Sequence, residues 1–151
     1  MSELDEAISL AADLCKHFEG FRSKPYICPA GYPTIGYGTV YKPDGSKVTM
    51  EHAPISKAEA EGWLMHELRY NYGAAVLRAT PSLANSPGAL GAMIDFAYNL
   101  GSARYRASTL RKRMAEGDWA GAKEQLSKWV RGGGKVLPGL VRRRAAEARL
   151  F

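Results

Sequence analysis

The chain has 151 residues and a net charge of +6, with 46% hydrophobic and 24% charged residues. That balance is ordinary for a soluble globular domain, and the length is enough to bury a core without staples. No run of 18 apolar residues is present, which excludes a transmembrane helix. Two cysteines, Cys15 and Cys28, are too few for a disulfide scaffold, and no Cys/His cluster has zinc-ligand spacing. No metal and no cofactor are therefore expected, and His17, His52 and His66 read as scattered surface or core residues.

The elements follow in chain order. Leu4, Ile8, Ala11, Cys15 and Phe18 recur at helical spacing, with Leu14 widening the stripe. Ser2 and Asp5 form a capping-box pattern before them, and Gly20 is placed to end the helix. Cys15 lies on the apolar stripe and reads as a structural thiol. Residues 25–50 hold Pro25, Pro29, Gly31, Pro33, Gly36, Gly38 and Pro43, which break any helix. "TIGYGTVY" alternates as a strand does, and "KPDGSKV" reads as a turn, so a small antiparallel hairpin is expected here. Gly36 and Gly38 would leave one strand face bare for a ligand.

Ser56 and Glu59 open a second helix with another capping-box pattern, and its period continues to about Ala79. Ser86 and Pro87 mark the start of a third, whose Leu90, Met93, Ile94 and Ala97 face a core. Ser108 precedes a short helix stopped by Gly117. Asp118 caps another that Gly132 ends, and Pro138 starts the last. The order is one helix, a small hairpin sheet, then five helices. The fold class is α+β, mostly α. A small β lobe (about 18–55) and a helical lobe (about 80–151 plus the N-terminal helix) are joined by the long helix in one domain spanning 1–151. The junction between the lobes would be a cleft, a favoured place for a ligand.

The stretch His17–Tyr41 carries the chemistry. Glu19 is its only carboxylate, since no other Asp or Glu follows until Asp44. It falls at a helix C-terminus, where the dipole disfavours a negative charge. Cys28 follows nine positions later and Thr34 fifteen positions later, and Thr34 opens the run Thr-Ile-Gly-Tyr-Gly.

This stretch, "EGFRSKPYICPAGYPTIGYG", resembles the signature of the phage lysozymes (endolysins) of glycoside hydrolase family 24. "FAYNLG", "STLRKRMAEGDWAGA" and "WVRGGGKVLPGLVRRRAAE" are similar to the helical lobe of its lambdoid-phage branch, so the likeness spans nearly the whole chain. The resemblance implies a phage-lysozyme fold. It also implies hydrolysis of the β-1,4 bond between N-acetylmuramic acid and N-acetylglucosamine in peptidoglycan. Glu19 would be the general acid on the glycosidic oxygen, a role that calls for a protonated carboxyl. Thr34 would hold a water on the opposite sugar face.

Cys28 stands where other members of that family carry Asp. Glycosidases ordinarily use two carboxylates. Three roles for the thiol stay open: a thiolate base, a neutral partner for the water, or a nucleophile. By the same resemblance Val40, Tyr98, Asn99, Thr109 and Gln125 would line the substrate cleft, and Arg143 would form an ion pair near the site. Thr39 occupies a position that is often His in Asp-bearing members.

The basic runs "RYRASTLRKR" and "VRRRAAEAR" favour polyanions such as an anionic cell wall, or read as a solvated helix face. A catalytically inactive peptidoglycan-binding homologue and a basic nucleic-acid binder are the competing readings. No nucleic-acid-binding motif accompanies the arginines, so none is expected as partner. "MSELDEAISL" lacks the features of a signal peptide. The resemblance then implies a monomer without stable membrane insertion. It would wait in the host cytoplasm until a holin permeabilises the membrane, and then act in the periplasm on glycan strands.

Overall fold

The computed structural model describes residues 1–151. Helix α1 spans Glu3–Glu19, and its start is set by the reciprocal cap that the sequence predicts. Asp5 N–H donates to Ser2 Oγ at 3.0 Å, and Ser2 N–H donates to Asp5 Oδ2 at 3.1 Å. Ala7, Ile8, Ala11, Ala12 and Cys15 form its buried face. That face packs on α4, Pro87–Leu100, whose Leu90, Met93, Ile94, Phe96 and Ala97 are fully buried.

The hairpin begins earlier than its sequence suggests. Strand β1, Arg22–Ile27, pairs antiparallel with β2, Pro33–Gly36, in the register Tyr26 to Thr34 and Ile27 to Pro33. Pro25 is tolerated because the ladder shifts register between Arg22 and Tyr26, so no bond is asked of its missing N–H. The alternation in "TIGYGTVY" does not continue as a strand. Gly36 and Gly38 have φ of +69° and +83°, so the chain reverses tightly and Ile35 bridges Thr39. The face that Gly36 leaves open is filled by Ala60, since a Cβ there would lie 3.1 Å from Ala60 Cβ. The predicted turn at residues 42–46 is present, with Gly45 N–H donating to the Lys42 carbonyl at 2.8 Å.

The long helix is three segments in one run. Helix α2 covers Lys57–Glu67, a π-helical turn covers Leu68–Gly73, and α3 covers Ala74–Ala79. Its Ser56 cap is one-sided: Ser56 Oγ accepts from Glu59 N–H at 3.1 Å. Helices α5 (Ser102–Ala107), α6 (Thr109–Glu116), α7 (Trp119–Leu126) and α8 (Pro138–Ala148) complete the order.

Two further features differ from the sequence reading. Helix α5, with six residues, is too short to show a period. Helix α7 stops at Leu126 rather than Gly132. The glycines after it instead close a second hairpin, β3 (Arg131–Gly132) with β4 (Lys135–Val136). Gly133 and Gly134 both take positive φ, as a two-residue hairpin turn of this kind requires. The architecture is mostly helical α+β with two small antiparallel hairpins. No helix is long and apolar enough to cross a membrane.

Candidate active site

Glu19 is the last residue of α1, and Gly20, at φ +72°, turns the chain out of the helix directly after it. Cys28 opens the β1–β2 turn, where its N–H donates to the Tyr32 carbonyl at 3.0 Å and its carbonyl accepts from Gly31 at 2.8 Å. Thr34 stands on β2 opposite Tyr26. These elements converge on a cavity of about 200 Å³ lined by Glu19, Tyr26, Cys28, Thr34, Gly38, Val40, Tyr98 and Asn99, among others. Six of the eight residues predicted from sequence are therefore together. Thr109, exposed at the start of α6, and Gln125, half-buried on α7, do not line this cavity.

Gly38 is needed beside the acid. A Cβ at this position would lie 2.9 Å from Glu19 Oε1 and 3.4 Å from the Tyr98 hydroxyl. Tyr98 in turn donates to the Tyr37 carbonyl at 2.5 Å, tying α4 to the β2 turn. The glycine therefore admits the carboxyl to the backbone, rather than giving a bare strand face.

Glu19 is held from behind by charge. Arg143, on α8, donates from Nη1 to Glu19 Oε2 at 2.7 Å. The same guanidinium gives Nε and Nη2 to Asp95 at 2.9 and 2.7 Å. Asp95 is fully buried on α4 and also accepts from the Cys15 thiol at 3.2 Å. Burial opposes Arg143's charge, but Asp95 and then Glu19 outweigh it and hold the guanidinium more firmly protonated than usual. Asp95 thus balances the arginine, while the arginine's third donor fixes the orientation of Glu19.

A second buried pair lies behind the first. Arg144 Nη2 donates to Asn99 Oδ1 at 2.7 Å and to Glu147 Oε2 at 3.0 Å. Its Nε lies 2.8 Å from Glu147 Oε1, but out of hydrogen-bond alignment, so both atoms lack a directed partner. Burial, then Asp95 beside it, push the Glu147 carboxyl well above the usual range. Burial would also raise Asp95, but hydrogen bonds from Glu147 and Arg143 outweigh it and hold Asp95 below its usual value. The two carboxyls thus shift in opposite directions, Glu147 up and Asp95 down.

These contacts correct the reading of "VRRR" as a solvated or polyanion-facing run. Arg143 and Arg144 are buried in the network, while Arg142 is exposed. The sequence does carry a signal for the missed Asp95: it is a lone charge inside the apolar run "GALGAMIDFAYNL". Such a residue has no solvent face and must find a buried partner. Cys15 is structural as predicted, and burial first, then Asp95, push its thiol well above the usual value.

Cys28 is the opposite case. It is half-exposed, and the Thr34 hydroxyl first, then the backbone at Tyr32, hold its thiol below the usual value. Thr34 has one hydroxyl proton and two claimants. It donates to the Tyr32 carbonyl at 2.8 Å, and it is also the first cause of the lowered Cys28 thiol. No group of three or more His, Cys, Asp or Glu side chains is arranged to hold a metal ion.

Comparison with known proteins agrees with this geometry. Residues 16–147 match the phage lysozyme family. The chain is 33% identical over 142 residues to an endolysin of Acyrthosiphon pisum secondary endosymbiont phage 1, covering 91% of this chain and 92% of that one. It is 33% identical over 131 residues to a SAR-endolysin of bacteriophage PS119, covering 85% and 73%. The solved endolysin from Escherichia coli O157:H7 phage FAHEc1 superposes with a TM-score of 0.81 at 32% identity, over 93% of this chain and 89% of that one. With the acid at the end of α1, the hairpin that faces it and the helical body behind, this chain belongs to the phage lysozyme family.

Proposed function

We propose that the protein is an endolysin: a muramidase that cuts the β-1,4 bond between N-acetylmuramic acid and N-acetylglucosamine and so lyses a host cell. The observation that carries this reading is the single cavity that gathers Glu19, Cys28 and Thr34, with Glu19 oriented by an arginine already balanced by Asp95. Glu19 donates its proton to the glycosidic oxygen as the bond to the anomeric carbon breaks. Water adds to that carbon from the other face. Cys28, Thr34 and the hairpin backbone orient it, and the lowered thiol value of Cys28 supports a share in taking the water's proton. Val40, Tyr98 and Asn99 bind the sugars on either side. Thr109 and Gln125 would meet only a strand that runs on across α6 and α7.

The retained acid and its intact cavity favour an enzyme over an inactive binding homologue. A turbidity assay on outer-membrane-permeabilised Gram-negative cells separates them. Clearing supports the muramidase, and binding to cells without clearing favours the inactive homologue.

The role of Cys28 has its own readout. An α-anomer released first, seen by NMR on a peptidoglycan fragment, supports direct attack by water. A β-anomer would make Cys28 the nucleophile. The whole chain works in this reading as one lysozyme domain and as a monomer. It is held in the host cytoplasm until a holin opens the inner membrane, and it is active afterwards in the periplasm.

A further inference from the structure

One side chain of the catalytic cavity, Tyr26, is held in place by its ring and leaves its hydroxyl unspent. The hairpin aims it where Cys28 and Thr34 converge. Tyr26 pairs directly with Thr34 in the β1–β2 ladder, so the two side chains leave the same face. Cys28 follows two positions later, and the alternation of an extended chain sends its thiol to that face too. All three line the cavity, with Glu19 reaching in from the end of α1. The Tyr26 ring is half-buried, and the Arg22 guanidinium lies 4.3 Å from its centroid, which steadies it. Burial, then the charge of Glu19, push the phenol above its usual value, and no hydrogen bond contributes to that shift. Tyr98, by contrast, spends its hydroxyl on the Tyr37 carbonyl.

A water that attacks an anomeric carbon points one lone pair at it. Its two protons then need acceptors, and its second lone pair needs a donor. The hairpin supplies the acceptors. Cys28 accepts as a thiolate, and Thr34 can only accept, because its one proton is claimed by the Tyr32 carbonyl at 2.8 Å and by Cys28. Donors are what the hairpin lacks. The N–H groups of Cys28, Gly31 and Ile35 are spent on the carbonyls of Tyr32, Cys28 and Thr39. Asn99 carries amide N–H groups, but Arg144 holds its Oδ1, and it shares the adjoining cavity with Glu19 and Arg143, on the side of the acid.

We infer that Tyr26 is the third holder of the hydrolytic water: its phenolic O–H donates to the water oxygen while Thr34 and Cys28 accept the water's two protons. The inference deepens the muramidase reading and rests on it. In the reaction the water oxygen bonds to the anomeric carbon as the glycosidic C–O bond breaks. Glu19 gives its proton to the departing oxygen, and the water proton that faces Cys28 passes to the thiolate. Tyr26 gives up no proton. It aims the water's free lone pair, and correct aim is itself a large part of the rate.

The test measures kcat and KM of Tyr26→Phe on peptide-free glycan strands. Phenylalanine keeps the ring and the Arg22 stack, and matched melting temperatures check the fold. The variant should lose about tenfold in kcat, the scale of one hydrogen bond, with KM unchanged. Its pH profile of kcat/KM should keep the wild-type shape. Tyr26→Phe/Thr34→Val should be no slower than Thr34→Val alone, since both residues hold one water. A wild-type kcat in Tyr26→Phe would overturn the inference, and so would fully additive losses in the double variant. A loss carried by KM would put the hydroxyl on the sugar, and a shifted pH profile would put it on Glu19; either result overturns it. A loss that only follows a fallen melting temperature would make Tyr26 a packing residue and overturn it as well. In each of these cases the muramidase reading stands. A wild type that cleaves no glycan strand would remove that reading and this one with it.

Discussion

Replacing Asp95 with alanine should destabilise the protein more than any change at the exposed surface. Arg143 keeps only 4% of its side chain exposed and Asp95 none. Removing the aspartate takes away two of the three donors' partners and leaves a buried guanidinium facing Glu19 alone. Stranding a buried charge in this way costs about 3–5 kcal/mol. For a domain of this size that is a fall in Tm of about 10 °C. The Cys15 thiol also loses its acceptor, which adds to the cost. Urea unfolding at pH 7 measures the effect, and the double variant Asp95→Ala/Arg143→Met supplies the control. Because it removes the stranded charge along with its partner, it should be more stable than Asp95→Ala alone. A loss under about 1 kcal/mol for the single variant, or a double variant that is simply the sum of its parts, would refute the argument that Asp95 balances a buried arginine.

Three further outcomes follow from the same site. Glu147 holds its proton in the fold well above its ordinary value of 4.5, so the stability it lends is complete below that value and is lost as pH rises toward the folded one. Glu147→Gln, which stays neutral, should therefore show a smaller stability loss between pH 5 and pH 8 than wild type does in denaturant titrations. Gly38→Ala combines a Cβ 2.9 Å from Glu19 Oε1 with φ of +83°, and it should cost at least about tenfold in lytic rate together with about 1 kcal/mol or more of stability. Unchanged turbidity clearing by a folded Gly38→Ala protein would mean that the acid does not need this close approach. Iodoacetamide should label Cys28 with a pH midpoint below the ordinary thiol value and leave Cys15 untouched in the native state, as read by peptide mapping. Cys28→Asp should stay active while Cys28→Ala is badly impaired.

What the sequence made legible is what local rules control. The Ser2 cap, the apolar stripe of α1 that ends at Phe18, the Lys42–Ser46 turn and the Ser108 and Pro138 starts all depend on residues within a turn of one another. Misreadings arose where a local pattern had two meanings. The alternation around Gly36 and Gly38 suits a strand, but positive φ at both glycines makes it a reversal. The glycines after Arg131 read as a helix stop, yet they form a hairpin turn. The spacing of Glu19, Cys28 and Thr34 marked the cavity because the hairpin itself carries two of the three. Arg143 and Asp95 lie 48 residues apart in the chain, and only the packing of α8 on α4 brings them together. No periodicity within either helix contains that contact, although an unaccompanied acid in an apolar run asks for one.

The central claim, that Glu19 drives cleavage between N-acetylmuramic acid and N-acetylglucosamine, is met most directly by mass analysis of purified peptidoglycan. Sacculi digested by wild type should yield disaccharide-peptides that end in a reducing N-acetylmuramic acid. A folded Glu19→Gln protein should release them at least about 100-fold more slowly. Fragments ending in reducing N-acetylglucosamine, free stem peptides, or equal release by the Glu19→Gln protein would each contradict it.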